Sequence, residues 1–185
     1  RLDADLERLA RAGDAAAALG SPFVLTGCGS LHPTHGYGPH PGNHDAATRA
    51  RLVAALRRAG PRAADAGVAI ALEAHVTTTL ADPATIAGIL GAVGHPAVRL
   101  NLDPVNLLGT IDDAFANGER MREAARVLGP WYAPTAHLKD VVVRPELVVH
   151  IDEVPPGEGI LDLDAYVAIV RSLGPDVRSE EHTSE

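Results

Sequence analysis

One cysteine, Cys28, is all the sequence contains, so a disulfide framework is excluded and a reducing compartment, the cytoplasm, is the simplest setting. Nor is there an apolar run near the roughly 20 residues that a membrane-spanning helix requires. The opening stretch, residues 1–14, is charged and amphipathic, unlike a secretory signal. Positive charge is short as well: 16 Lys and Arg stand against 24 Asp and Glu, a net charge of −8, which repels phosphate backbones and anionic lipid. Arg49, Arg51, Arg57 and Arg58 are spread along expected helix faces as solvated surface and form no basic patch. Nucleic acid and membrane are therefore not expected as partners. The one glycine-rich turn, residues 26–30, has neither the dinucleotide-binding spacing nor a phosphate-loop lysine.

What is present is a core. With 46% apolar residues in 185, the chain can bury one sizeable interior, and one domain or the larger part of one is expected. Apolar positions at Leu2, Leu6 and Leu9 recur at helical spacing, Gly20 supplies a stop, and Phe23-Val24-Leu25 reads as a strand. A Gly/Pro/His-rich loop, residues 27–43, leads to a helix capped by Asp45 and running to about Asp65, with Pro61 expected to kink it. The continuous apolar run Val68 to Leu72 suits a strand covered on both faces of a parallel sheet. Asp82-Pro83 starts a helix to about Val93. There follow a strand at Val98 to Leu102, a helix at Asp113 to Leu128, a strand at Ala133 to Leu138, an irregular segment from Val141 to Gly159 and a helix near Leu163 to Leu173.

Alternating strand and helix imply βαβ units and a parallel sheet, open or closed into a barrel. The placement of polar residues favours the barrel, because they lie at the carboxyl ends of successive strands, where βα loops converge. An open sheet would gather its ligand at a single switch point.

Three strand ends carry this signal: Leu72-Glu73-Ala74-His75, Leu102-Asp103-Pro104-Val105-Asn106 and His137-Leu138-Lys139-Asp140. Glu73 and Asp103 are 30 residues apart, and Asp103 and His137 are 34, each close to one βα unit. Two carboxylates and an imidazole suit Mn2+, Mg2+, Co2+ or Zn2+, with positions left for substrate oxygens. Taken singly, Asp103 reads equally well as a helix cap, and His137 reads more readily as a satisfied strand-end residue than as a ligand. Glu73, after five apolar residues, needs a cation or hydrogen bonds, since an unpaired carboxylate in a water-poor barrel mouth costs several kcal/mol.

The runs AIALEAH (69–75), VRLNLDPVN (98–106), AHLKD (136–140) and PPGEGILD (155–162) resemble the sugar phosphate isomerase/epimerase family of xylose isomerase-like TIM barrels. The resemblance extends from about Leu2 to Val177. It implies an α/β fold, a (β/α)8 barrel, and one divalent metal held by a Glu, an Asp, a His and a final Glu. The first three map onto Glu73, Asp103 and His137. It also implies proton transfer through an enediolate, giving isomerisation or epimerisation of a sugar, sugar phosphate or related hydroxy-carbonyl compound, with Glu73 as both ligand and acid/base. An inosose-type dehydratase on the same scaffold and a zinc-dependent endonuclease-like phosphodiesterase are the alternatives. The partner is a small carbohydrate; homo-oligomerisation is left open.

Four strand candidates fall short of a barrel's eight, so residues 1–177 are expected to be an incomplete barrel lacking early strands and the last one. Residues 178–185 have no apolar side chain; they are expected not to form a strand and read as a non-native tail matching a translated sequencing adapter. Glu180 and Glu181 are accordingly not taken as the final ligand. Around the centre, His32, His75, Asn106, Lys139 and Arg144 are candidate substrate-binding residues. His32, His35, His40 and His44 are expected on a substrate-covering loop. Surface salt-bridging is an equal reading for Arg144. His150 and Asp152 form an H-x-D pair like one that serves a three-zinc cluster in related endonucleases, but that cluster needs a histidine where this chain has Asn106.

Overall fold

A computed structural model describes residues 2–175 and 177–181, which divide into two compact units, Arg1–Asn101 and Leu102–Glu185. The first unit runs α1 (Leu2–Ala18), β1 (Phe23–Gly27), α2 (Ala46–Asp65), β2 (Ala69–Glu73), α3 (Pro83–Val93) and β3 (Val98–Leu102), whose last residue opens the second unit. β1 and β2 are parallel, with Phe23 opposite Ala69 and Gly27 opposite Glu73. β2 and β3 are parallel too, with Leu72 opposite Leu100. Ile70, Ala71 and Leu72 are buried on both faces of β2, as a continuous apolar run in a parallel sheet requires. α1 packs on β1, and α2 packs on β2 and α3, burying Leu56, Ala59, Ile86, Ile89 and Leu90. Strand boundaries follow the sequence reading to within two residues.

Two helix starts in this unit contrast in their local chemistry. The Asp82 side chain accepts the Thr85 backbone N–H at 2.9 Å and Pro83 opens the first turn of α3. Asp45 has the backbone geometry of a cap for α2, but its side chain makes no capping bond, and its carbonyl receives the N–H groups of Thr48 and Arg49. α2 continues through Pro61. Burial acts to raise the Asp82 carboxyl and is outweighed by the hydrogen bonds of Thr85 and Ala84, so its pKa lies below the ordinary 3.8. A depressed folded-state pKa stabilises above the unfolded value and loses that contribution as pH falls through the folded one. Asp82→Ala is therefore expected to cost about 1 kcal/mol at neutral pH. Thermal melts across pH should show the gap from the parent chain closing as pH falls below 3.8.

The second unit contains α4 (Ile111–Phe115), α5 (Asn117–Leu128), β4 (Tyr132–Leu138), β5 (Asp140–Val143), β6 (Ile151–Val154), α6 (Leu163–Leu173) and β7 (Arg178–Glu181). α6 packs on β4 and α5, around buried Met121, Leu128, Ala133, Ala165, Tyr166 and Ile169. Tyr132 is buried at the start of β4, and that burial pushes its phenol pKa up.

Three expectations are corrected in this unit. The helix expected from Asp113 to Leu128 is two helices that meet at Ala116. Buried Asn117 uses its amide outside the helical ladder, donating to the Ala114 and Ile160 carbonyls at 2.7 and 3.0 Å and accepting from Asp162 N–H at 2.7 Å. The segment expected to be irregular holds an antiparallel hairpin, β5 with β6, pairing Asp140 with Val154 and Val143 with Ile151. Each strand has only four residues, too few for alternation to stand out beside Pro145, Pro155 and Pro156. Finally, Arg178–Glu181 does form a strand, parallel to β4, with Glu180 opposite His137. A ladder is made by main-chain groups, which need no apolar side chains. The remaining tail, residues 182–185, lies outside the described residues.

Candidate functional site

In the first unit, Glu73 is the last residue of β2, where the chain leaves the sheet. The Tyr37 hydroxyl donates to Glu73 Oε2 at 2.6 Å, the short distance expected of a charge-assisted O–H···O bond. Tyr37 comes from the loop between β1 and α2. It crosses over Gly27, where a Cβ would lie 2.6 Å from the phenol oxygen, so a side chain there would displace the phenol. The Thr77 hydroxyl donates to the Tyr37 carbonyl at 2.6 Å and lies 2.8 Å from His75 Nδ1. The His75 ring meets the Tyr37 ring edge-on, 5.9 Å between centroids. His75 is thus in the same cluster as Glu73.

The same loop is anchored by Asn43, which is fully buried. Its amide donates to the Thr77 carbonyl at 2.7 Å and to Ser30 Oγ at 2.8 Å, and its oxygen accepts Leu31 N–H at 2.8 Å. The loop histidines act on their own backbone: His32 Nδ1 accepts His35 N–H, His35 Nδ1 accepts Tyr37 N–H, and His40 Nδ1 accepts Gly42 N–H. Among the described residues these histidines do not form a three-residue metal-binding group with one another.

In the second unit, Asp103 and His137 are buried together, their side chains 1% and 2% exposed. His137 Nδ1 lies 3.1 Å from Asp103 Oδ2. The same oxygen accepts from Asn106 Nδ2 at 3.0 Å and lies 3.0 Å from Lys139 Nζ. Lys139 also donates to Asn106 Oδ1 at 3.0 Å and is 3.7 Å from Glu153 Oε2 on β6. A buried carboxylate therefore faces an ammonium, an amide and an imidazole. Such a pocket is tolerable only because each charge has a partner. Asp103, Asn106, His137 and Lys139, all named from sequence, are brought together here.

Two further groups shape this region. Asp140, 1% exposed, accepts four backbone N–H groups: Val141 and Leu161 at 2.8 Å on Oδ1, and Gly157 and Gly159 at 3.0 Å on Oδ2. Arg144 is paired with Asp152 at 2.7 Å on the exposed hairpin, and His150 lies 3.6 Å from Glu146. His150 and Asp152 thus have partners on the hairpin itself. Sequence reasoning passed over Tyr37, Glu153 and the role of Asp140. Tyr37 is a lone aromatic in a loop and Glu153 lies on an unanticipated strand, so neither leaves a periodic signal. The motif around Asp140 was visible, but its loop partners are 17 to 21 residues away.

Parallel strands joined by helices, with carboxylates and a histidine at their carboxyl ends, define an α/β protein of TIM-barrel type. The family model described as xylose isomerase-like TIM barrel matches residues 1–184, and the chain belongs to that family. No protein of curated function matches the sequence. Among solved structures, a xylose isomerase-like TIM barrel protein from Mycobacterium smegmatis in complex with magnesium superposes with a TM-score of 0.75 at 20% identity, over 97% of this chain and 60% of that one. The probable 3-DHS dehydratase AsbF involved in petrobactin synthesis from Bacillus anthracis gives 0.75 at 19% identity, over 98% and 64%. An L-ribulose 3-epimerase gives 0.68 at 20% identity, over 97% and 54%. The chain thus spans roughly three-fifths of the length of such proteins.

Proposed function

We propose that the parent enzyme is a divalent-metal-dependent isomerase or epimerase of a small sugar, sugar phosphate or related hydroxy-carbonyl compound. Glu73, Asp103 and His137 would hold the ion, and Glu73 would also move the proton. The observation that carries this reading is the buried Asp103–His137 pair. Its nitrogen and oxygen, 3.1 Å apart and almost fully buried, are two donors close enough to share one divalent ion. Family membership supports Glu73 as the third ligand, as does its place at the end of a neighbouring βα unit.

When bound, such an ion polarises a substrate carbonyl and acidifies the adjacent C–H. The Glu73 carboxylate would take that proton; its return to the neighbouring carbon gives the isomer, and its return to the opposite face of the same carbon gives the epimer. Lys139 and Asn106 hold Asp103 in one orientation. With His32, His75 and Arg144 they are the candidates for binding sugar hydroxyls. The enzyme is assigned to the cytoplasm with a small carbohydrate as partner. Among the described residues no helix is long and apolar enough to cross a membrane. A second reading, a dehydratase that abstracts the same proton and then expels a hydroxyl, is favoured by the likeness to AsbF.

The test is the full chain with Mn2+ and L-ribulose, D-fructose or an inosose in deuterated water, followed by NMR. Deuterium entering beside the carbonyl with all hydroxyls retained is the expected result. Loss of a hydroxyl selects the dehydratase, and bound Mn2+ without exchange on any of these compounds overturns both readings.

A further inference from the structure

Tyr37 is the side chain most tightly bound into the Glu73 cluster without a role in the chemistry above. Its hydroxyl is held over the end of β2 by constraints from several directions. Gly27 leaves room for the ring. Thr77 fixes the Tyr37 carbonyl at 2.6 Å, and the His75 ring closes one side. Behind these, fully buried Asn43 ties the loop to the Thr77 carbonyl and the Leu31 N–H. A phenol that only filled space would need none of this. What the arrangement fixes is the 2.6 Å bond to Glu73 Oε2, which restrains how that carboxylate rotates. All of these residues lie within one compact unit.

We propose that Tyr37 is a positioning residue for Glu73, carried by a preformed loop and held by Thr77. The proposal rests on the reading of Glu73 as metal ligand and base. A glutamate with both tasks must keep one orientation to reach the ion and the substrate C–H together. A hydrogen-bonded outer partner supplies that restraint, and its removal typically lowers metal affinity by 10- to 100-fold. A loop anchored in this way is a fixed wall of the site.

Tyr37→Phe removes the hydroxyl and keeps the ring, Thr77→Val releases the tyrosine backbone, and the double variant tests whether the two act in series. Mn2+ affinity would be measured by EPR on the full chain without substrate, metal-free melting by circular dichroism, and kcat and KM by deuterium exchange into L-ribulose. Tyr37→Phe is expected to weaken Mn2+ binding by roughly 10- to 100-fold and to lower kcat with little change in KM, with metal-free melting close to the parent's. Thr77→Val should do the same to a smaller degree, and the double variant should be no worse than Tyr37→Phe, since Thr77 acts through Tyr37. Parental Mn2+ affinity and kcat in Tyr37→Phe would overturn the proposal, as would losses that track a fall in melting temperature across all three variants. If the parent chain binds no Mn2+, it is the metal reading itself that falls; if the parent binds and Tyr37→Phe binds equally, only this proposal falls.

Discussion

His137→Ala is expected to remove divalent-metal binding and solvent-proton exchange while leaving a folded chain. The substitution takes one of two donors that lie 3.1 Å apart in a buried pocket, and Asp103 is then left to Lys139 and Asn106, which already satisfy it. Outer-sphere changes alone cost 10- to 100-fold in affinity, so loss of a direct ligand should exceed about 100-fold. An ion that stabilises developing charge by several kcal/mol corresponds to roughly a thousandfold or more in rate. Asp103→Asn preserves shape but weakens the negative donor, and should reproduce most of the effect. Mn2+ titration and NMR exchange on the same samples check this. Parental metal affinity in His137→Ala would remove the pair from the site, whatever the turnover.

The second large effect concerns folding. Asp140→Ala leaves four backbone N–H groups, those of Val141, Gly157, Gly159 and Leu161, without their acceptor. Each buried donor left unsatisfied costs roughly 1–3 kcal/mol. Water reaching the exposed side of the Gly157 loop offsets part of this, so a net loss of about 4 kcal/mol is expected. At about 2–4 °C per kcal/mol for a chain of this size, the melting temperature should fall by roughly 10 °C. Asp140→Asn keeps one accepting oxygen but turns an NH2 toward two of the donors, so this variant should lose about half as much. Gly159→Ala should approach the Asp140→Ala variant, because its methyl group would be driven into Asp140 Oδ1 and the Val141 carbonyl. A melt of Asp140→Ala within about 2 °C of the parent would show that the loop does not depend on this carboxylate.

His137 and Asp140 differ in how far the sequence exposes them. His137 announces itself because it lies near the end of an expected strand, one βα spacing beyond Asp103. Asp140, three residues later, looks like any strand-end acid until the chain from Pro155 to Leu161 folds back onto it. The same contrast holds in the first unit. Glu73 follows from the apolar run before it, whereas Tyr37 becomes visible only when the loop lays its phenol over Gly27. The division of the helix at Ala116 is a further case, because an asparagine buried by residues 160 and 162 competes with the helical ladder. The strand at residues 178–181 is hidden from a reading of side-chain composition, because what pairs it with β4 is main chain.

The sequence by itself determined the alternation of strands and helices and the side chains placed at the strand ends, because apolar periodicity is local and leaves its pattern in neighbouring residues; the family was legible in the motif runs that resemble it. Only the tertiary structure decided which groups restrain those side chains: the phenol on Glu73, the ammonium and amide on Asp103, and the four amides on Asp140. Most of these bonds join residues that are distant in the chain or held by a loop, and a hydrogen bond depends on distance and direction in space, which no spacing along the chain specifies.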